Sequence, residues 1–432
     1  MTAGSAVITG ALSERGAIDI VIEDGVIVAS GPGVAFGREP GAGSHVAVDA
    51  GGLLAIPGVI DPHVHMRDLR QSDKETWRTG SAAAIAGGVT MVFDMPNTIP
   101  PTTDRAGLDA KRAISFDAPI RRAFFIGAAP GKLESAREIL ESRPEDVAGL
   151  KLYMAGSSSD EVVQDAGELL DFFALAAHYN VVVAVHAEDQ ALVTTATNSV
   201  AHPSPLDHGR CRPRKAAITA TERAITAAQG AGTRLYLCHV GTAEELDLIR
   251  EAKQSLPLFC EVTPHHAFLD ESVLASVGNI GKVNPPLRSR RDRERIVRAM
   301  GDGTADTVGS DHAPHTVAEK RRSYSLAPPG FPGLETSVGV LTTLLHAGAF
   351  GISRLVDLTS RGVAGIFGME GRGSLDPGSV GDVTLVDLGR KWIVASSDFE
   401  TKARYSPFDG RTLIGRVTHT IICGNVNGSG NE

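Results

Sequence analysis

The chain has 432 residues, 42% apolar and 22% charged, with 48 glycines and 23 prolines, a globular composition that can bury a large core without covalent staples. Its four cysteines (Cys211, Cys238, Cys260, Cys423) are too few and too scattered for a disulfide framework, which predicts a reducing, cytoplasmic setting. A net charge of −9 without a basic block argues against nucleic-acid or anionic-membrane partners, and no apolar run approaches the ~20 residues of a membrane span.

The first 57 residues read as short strands joined by turns, with Asp24-Gly25 marking a two-residue hairpin between alternating apolar runs. The same texture returns after about residue 370, in DVTLVDL, KWIVASS and TLIGRVTHTIICG. One small β-sandwich domain built from both termini, residues 1–57 plus 370–432, is expected, with the tail 424–432 mobile. Between them lie strand-like runs at 58–65, 89–97, 120–128, 149–154, 181–188, 234–240, 258–266 and 305–312. Helix-compatible segments are Trp77–Ala86, Glu161–His178, Thr219–Ala228, Ala243–Lys253, Ser289–Met300 and Glu335–His346. Eight strands each followed by a helix over residues 58–369 predict a closed (β/α)₈ TIM barrel, an α/β fold. An open doubly wound sheet would carry a Gly-rich phosphate loop after its first strand, and none is present.

In such a barrel the chemistry sits where strands end. This chain ends its strands in His63 and His65, Asn97, Lys151, His186, His239, His265 and His266, and Asp311 with His315. A single strand-end histidine is more often structural than a ligand; five strands ending in metal-competent groups is a different proposition. His63 and His65 are two apart on one strand, so both imidazoles face one side and suit zinc or its first-row neighbours. Asp311 adds a carboxylate that can also exchange a proton with water, and His186 with His239 can hold a second ion. Lys151 sits in an apolar run where an ammonium is costly and, beside two cations, worse. A carbamate formed from it with CO₂ would instead be an anionic bridge. Two ions sharing a hydroxide would hydrolyse, or form in reverse, a C–N bond at a carbonyl. Arg67, two residues past His65 on the same strand face if the strand extends that far, could bind a substrate carboxylate through two hydrogen bonds.

With these residues the chain resembles the amidohydrolase superfamily, and within it the dihydroorotases. The motifs are PGVIDPHVHMR (57–67), AAAIAGGVTMVFDMPNTIPP (82–101), GLKLYMAGS, VHAEDQ, LCHVGTAEEL, CEVTPHHAFL (260–269), KVNPPLRSRRD (282–292), SDHAPHTVAEK (310–320) and PPGFPGLET (328–336). Several are also similar to the dihydroorotase domain of the animal multifunctional pyrimidine-synthesis protein. The resemblance implies two Zn²⁺ per subunit with a bridging hydroxide: His63, His65, carbamylated Lys151 and Asp311 on the first, and Lys151, His186 and His239 on the second. It implies Asp311 as catalytic acid/base, with Arg67, Asn97 and His315 on the carboxylate of the substrate. Asn284 and the Pro329-Gly330 backbone would contact its ring amides. The implied reaction is N-carbamoyl-L-aspartate ⇌ L-dihydroorotate + water, the ring-closing step of pyrimidine synthesis. By analogy the family resemblance further suggests a homodimer and leaves association with aspartate transcarbamoylase open. In the animal domain a cysteine and a glutamate at the places of Cys238 and Glu261 go with a third zinc, but the favoured reading here is a buried thiol behind a metal ligand and a structural carboxylate.

Two rivals follow. Allantoinases and dihydropyrimidinases or hydantoinases share fold and metals, but usually lack His315 or Arg67 respectively. A catalytically silent structural subunit would have lost ligands that this chain retains. Two departures from the dihydroorotase pattern, Asp68-Leu69-Arg70 after Arg67 and Ala217 in place of a glutamate, put substrate preference in question. The segment 316–333 reads as a flexible loop over the barrel mouth.

Overall fold

The computed structural model describes residues 3–35, 45–156 and 161–428. The N-terminal strands are β1 (Ser5–Ser13), β2 (Gly16–Glu23), β3 (Val26–Gly31), β4 (His45–Asp49) and β5 (Leu54–Pro57). Asp24 and Gly25 turn the β2–β3 hairpin with φ of 47° and 76°, the two positive values that a type I′ turn requires. β1 pairs with β2 antiparallel and with β4 and β5 in parallel.

Beyond Gly58 the chain enters the barrel: β6 (Val59–Val64), β7 (Val89–Asp94), β8 (Arg121–Ala128), β9 (Val147–Tyr153), β10 (Val182–His186), β11 (Arg234–Leu237), β12 (Leu258–Val262) and β13 (Thr307–Val308). Spatial order follows sequence order and every pairing is parallel. The ring closes through a bridge between Val64 and His312, with the His65 N–H donating to the His312 carbonyl at 2.7 Å. This is a (β/α)₈ barrel. After it, β14 (Val383–Ile393), β15 (Thr412–Ile422) and β16 (Asn425–Gly428) return to the terminal sheet, β14 pairing with β5. Strands from both ends of the chain, among them Ile8, Ile20, Ile22, Val383, Leu385 and Ile421, share one buried core.

Local chemistry explains the element boundaries. Thr76 caps helix Trp77–Ala86 reciprocally with Thr79, and Thr242 caps helix Ala243–Ala252 with Glu245. The helix expected over 161–178 starts at Ala166, where the Asp165 side chain accepts from the Glu168 N–H. That expected over 219–228 is longer, Arg214–Ala231, running from Pro213 to the left-handed Gly232. Helices Arg105–Ile114 and Leu133–Glu141 complete the βα units without having been singled out by pattern. The last barrel strand, Thr307–Val308, is far shorter than expected, and Asp311 lies beyond it with φ +49°, a conformation no strand accommodates. The tail expected to be mobile is strand over Asn425–Gly428, paired with β15; residues 429–432 lie outside the described residues.

The barrel interior is apolar at its lower end, where Phe93, Phe125 and Tyr236 pack around Phe367 with ring centroids 4.8 to 6.0 Å apart. Polar groups take over at the C-terminal strand ends. Among the described residues no helix is long and apolar enough to cross a membrane.

Candidate active site

His63 and His65 enter the barrel mouth at the end of β6, their ring centroids 5.5 Å apart. Each ring uses its Nδ1 outward. His63 Nδ1 lies 2.7 Å from Glu261 Oε1 and His65 Nδ1 lies 2.6 Å from Asn97 Oδ1. Both partners are acceptors, so both rings donate there, and in the neutral tautomer each Nε2 carries a lone pair. Those nitrogens face Asp311 Oδ1 at 3.4 and 3.2 Å. Three buried electron-pair donors around one point favour a cation. This is the arrangement of metal-binding imidazoles whose second nitrogen is held by a carboxylate or carbonyl. Among the described residues, His63, His65 and Asp311 form one group able to hold an ion, and His63, Cys238 and Glu261 another.

The electrostatics of the protein groups point the same way. Burial opposes charge on His63, yet Glu261 and Asp311 carry its pKa up to about 10. Burial takes His65 the other way, to about 3. Burial would raise the Asp311 carboxyl, but the neighbouring His63 and His65 hold it well below the usual carboxylate range. One positive charge is thus stabilised between these three groups.

A second group stands opposite. His186 Nε2 lies 3.0 Å from Glu188 Oε2 and therefore donates, turning Nδ1 toward His239 Nε2 at 3.0 Å. His239 Nδ1 is buried without a hydrogen-bond partner. Burial lowers both imidazoles, keeping them neutral and able to coordinate. Lys151, fully buried on β9, places Nζ 3.0 Å from Cys238 Sγ and 5.2 Å from the Tyr153 ring centroid. It does not reach solvent; of the two sets that the resemblance implies, His63, His65 and Asp311 come together as an ion-holding group, while His186 and His239 face each other as a pair.

A narrow recess opens above these groups, lined by His63, His65, Tyr153, His186, His239, Val283, Asn284, Asp311, Ala313, Pro329 and Gly330. Roomier recesses lie elsewhere, lined around Trp392, around Leu375 and around Phe268, but none of these three gathers imidazoles, so size does not locate the chemistry. Inside the cavity Asn284 Oδ1 and the Tyr153 hydroxyl are buried without partners. Arg67 is 2% exposed. Its Nε donates to the Pro314 carbonyl at 3.1 Å, its Nη2 lies 3.1 Å from His315 Nε2, and Nη1 has no partner. A buried guanidinium with open donors is suited to an anionic ligand.

One expectation needs correction. Arg67 does not extend the strand face of His65: β6 stops at Val64, and Arg67, Asp68 and Leu69 all adopt positive φ, of 56°, 51° and 51°. The loop is paid for by Asp68, whose carboxylate accepts from the Leu69 and Trp77 N–H groups at 2.9 Å each. His239 and Asp311 also have positive φ, 38° and 49°, so backbone strain is concentrated at the site. Ala217 is fully buried in its helix, and Arg212 pairs with Glu188 through Nε at 2.9 Å and Nη2 at 2.5 Å.

The segment 316–333 is anchored rather than loose. Lys320 Nζ donates to the carbonyls of Pro328 and Gly330 at 3.0 and 2.7 Å, and Lys282 Nζ to those of Tyr324 and Ala327 at 2.7 and 2.6 Å. Sequence reasoning missed Glu188 and Tyr153, each two residues beyond a candidate ligand on the same strand path; that spacing was the available signal.

Residues 54–427 match the amidohydrolase family. Over 418 residues the chain is 34% identical to a dihydroorotase of Geobacter sp. (strain M21), covering 95% of this chain and 94% of that protein. It is 36% identical to a dihydroorotase of Halobacterium salinarum over 82% of each chain. The structure of an L-hydantoinase (dihydropyrimidinase) from Arthrobacter aurescens superposes with a TM-score of 0.92 at 28% identity, covering 99% and 97% of the two chains.

Proposed function

The chain belongs to the amidohydrolase family, and from that premise we propose that it is a dihydroorotase, interconverting L-dihydroorotate and N-carbamoyl-L-aspartate. The observation that carries this reading is Arg67, a buried cation two residues beyond His65 with Nη1 unpartnered and Nη2 against His315. A ring bearing a carboxylate satisfies it; a ring without one leaves it buried and uncompensated.

His63, His65, Asp311 and carbamylated Lys151 would hold one Zn²⁺, and Lys151, His186 and His239 the other. Bound there, the ions would lower the pKa of water and polarise the scissile carbonyl. The protein's own groups do the rest. Arg67, Asn97 and His315 orient the ring through its carboxylate, while Asn284 Oδ1 accepts a ring N–H and the Pro329-Gly330 backbone flanks the amide. Asp311 takes a proton from the attacking water and returns it to the ring nitrogen as the C–N bond breaks; in the reverse direction the proton moves the other way. The apolar floor of Phe93, Phe125 and Phe367 keeps bulk water from below, so these charges act in a low dielectric.

The hydantoinase reading is favoured by one observation, the 0.92 superposition on the L-hydantoinase. Its test is the same experiment: hydrolysis of L-dihydroorotate, dihydrouracil, hydantoin and allantoin by the zinc-loaded protein. Turnover of L-dihydroorotate alone supports the proposal, and preference for a carboxylate-free ring refutes it. Homodimerisation, cytoplasmic residence and association with aspartate transcarbamoylase belong to the same reading and are open to light scattering and co-purification.

A further inference from the structure

Lys74 lies outside the metal-competent groups, in the turn between Arg67 and helix Trp77–Ala86. Its Nζ is 3.2 Å from His315 Nδ1 and 2.9 Å from Glu319 Oε1. An ammonium has only donors, so the contact with the ring requires a lone pair on Nδ1. Burial, reinforced by Arg67 and Lys74, holds His315 well below its ordinary pKa, and the ring is neutral. Its single proton is therefore on Nε2, where it donates to the Pro329 carbonyl at 3.0 Å. Arg67 Nη2 also points an N–H at that nitrogen at 3.1 Å, a contact that this tautomer leaves without an acceptor and that an anionic oxygen bound beside the two groups relieves. Two N–H groups converging from different residues make a receptor for one anionic oxygen pair.

We propose that Lys74 is a positioning residue for substrate recognition, fixing the Nε2–H tautomer of His315 so that, once the ring carboxylate replaces the Pro329 carbonyl as acceptor, His315 and Arg67 both donate to it. Without Lys74 the proton is free to move to Nδ1, toward Glu319 Oε2 at 3.9 Å. Nε2 then accepts from Arg67 Nη2, and the two groups satisfy each other instead of the substrate. The backbone side of His315 is unaffected, since its N–H is held by the Tyr405 hydroxyl at 3.2 Å. This inference rests on the dihydroorotase reading for its substrate, but the tautomer itself does not.

The test is ¹⁵N spectroscopy of histidine-labelled, metal-loaded protein, with the His315 ring assigned by its loss in His315→Gln, alongside kinetics of Lys74→Met and Lys74→Arg. The expected result is an Nε2 proton in the wild type and a shift toward Nδ1 in Lys74→Met. In that variant KM for L-dihydroorotate should rise roughly tenfold or more, the scale of one hydrogen bond to a charged group, with metal content retained and Lys74→Arg close to wild type. An Nδ1 proton in the wild type, or an unchanged tautomer and KM in Lys74→Met, overturns the proposal. The ring protons are read without turnover, so a protein inactive on L-dihydroorotate would sink the functional reading while the spectrum still decided this one.

Discussion

His63 Nδ1 and Glu261 Oε1 meet at 2.7 Å although 198 residues separate them. The same carboxylate accepts from the His239 N–H at 2.9 Å and from the Tyr236 hydroxyl at 2.8 Å. Glu261 therefore fixes the tautomer of one candidate ligand and the backbone of another. Gly309 closes the arrangement: a Cβ there would fall 2.8 Å from both the Glu261 carboxylate and His63 Cβ.

Gly309→Ala should accordingly weaken metal binding while leaving the barrel folded. Outer partners of metal ligands typically contribute about 10- to 100-fold in affinity or activity, and a loss of that size is expected in competition with a chromophoric chelator. Wild-type metal affinity in this variant would mean that Glu261 does not act through His63.

Arg67→Met removes the buried cation whose Nη1 has no partner. Truncating one partner of a buried charged contact costs about 2–5 kcal/mol, so kcat/KM for L-dihydroorotate should fall by at least ~30-fold. Metal content should stay at the wild-type value, since Arg67 contributes to neither of the ion-holding groups. Equal losses on dihydrouracil would show a structural role instead.

Metal analysis should return two equivalents per chain, with activity abolished by chelation and the melting temperature lowered, because the ions bind only the folded state. His63 belongs to both ion-holding groups, the second completed by Cys238 and Glu261. Three equivalents in the wild type, falling to two in Cys238→Ser, would establish a third site.

Acid should loosen the 316–333 segment. His208 accepts from the Tyr324 hydroxyl at 2.7 Å and donates to the Val283 carbonyl at 2.9 Å, and burial lowers its pKa to about 3. The unfolded chain, with a histidine near 6.5, binds the proton first as pH falls. The stability contributed by neutral His208 is thus present above about pH 6.5 and lost as pH drops toward 3. Between pH 7 and 5 that loss is about 2 kcal/mol. Urea midpoints of wild type and His208→Gln should converge over this range, with hydrogen exchange rising in 316–333 only in the wild type. Parallel pH profiles for the two proteins would exclude His208 as the titrating group.

Much of this molecule is written in local sequence. Period-two apolar runs and helix caps such as Thr76 and Thr242 are decided within a few residues, so the eight strands, their order and six of the longer helices were legible in the chain. The candidate ligands could be named too, because a barrel places every strand end on one rim and the motifs themselves end in His63, His65, Lys151, His186, His239 and Asp311. What the tertiary structure decided is which proton sits where. Glu261 against His63, Glu188 against His186 and Lys74 against His315 are meetings of side chains from different segments. The final strand ends early and Arg67 leaves its strand; Asp311 and Arg67 take positive φ beside the closing seam and the Asp68 cap, which local propensity does not specify. Strand and helix periodicity are properties of neighbours in sequence; tautomers and strained turns depend on neighbours in space.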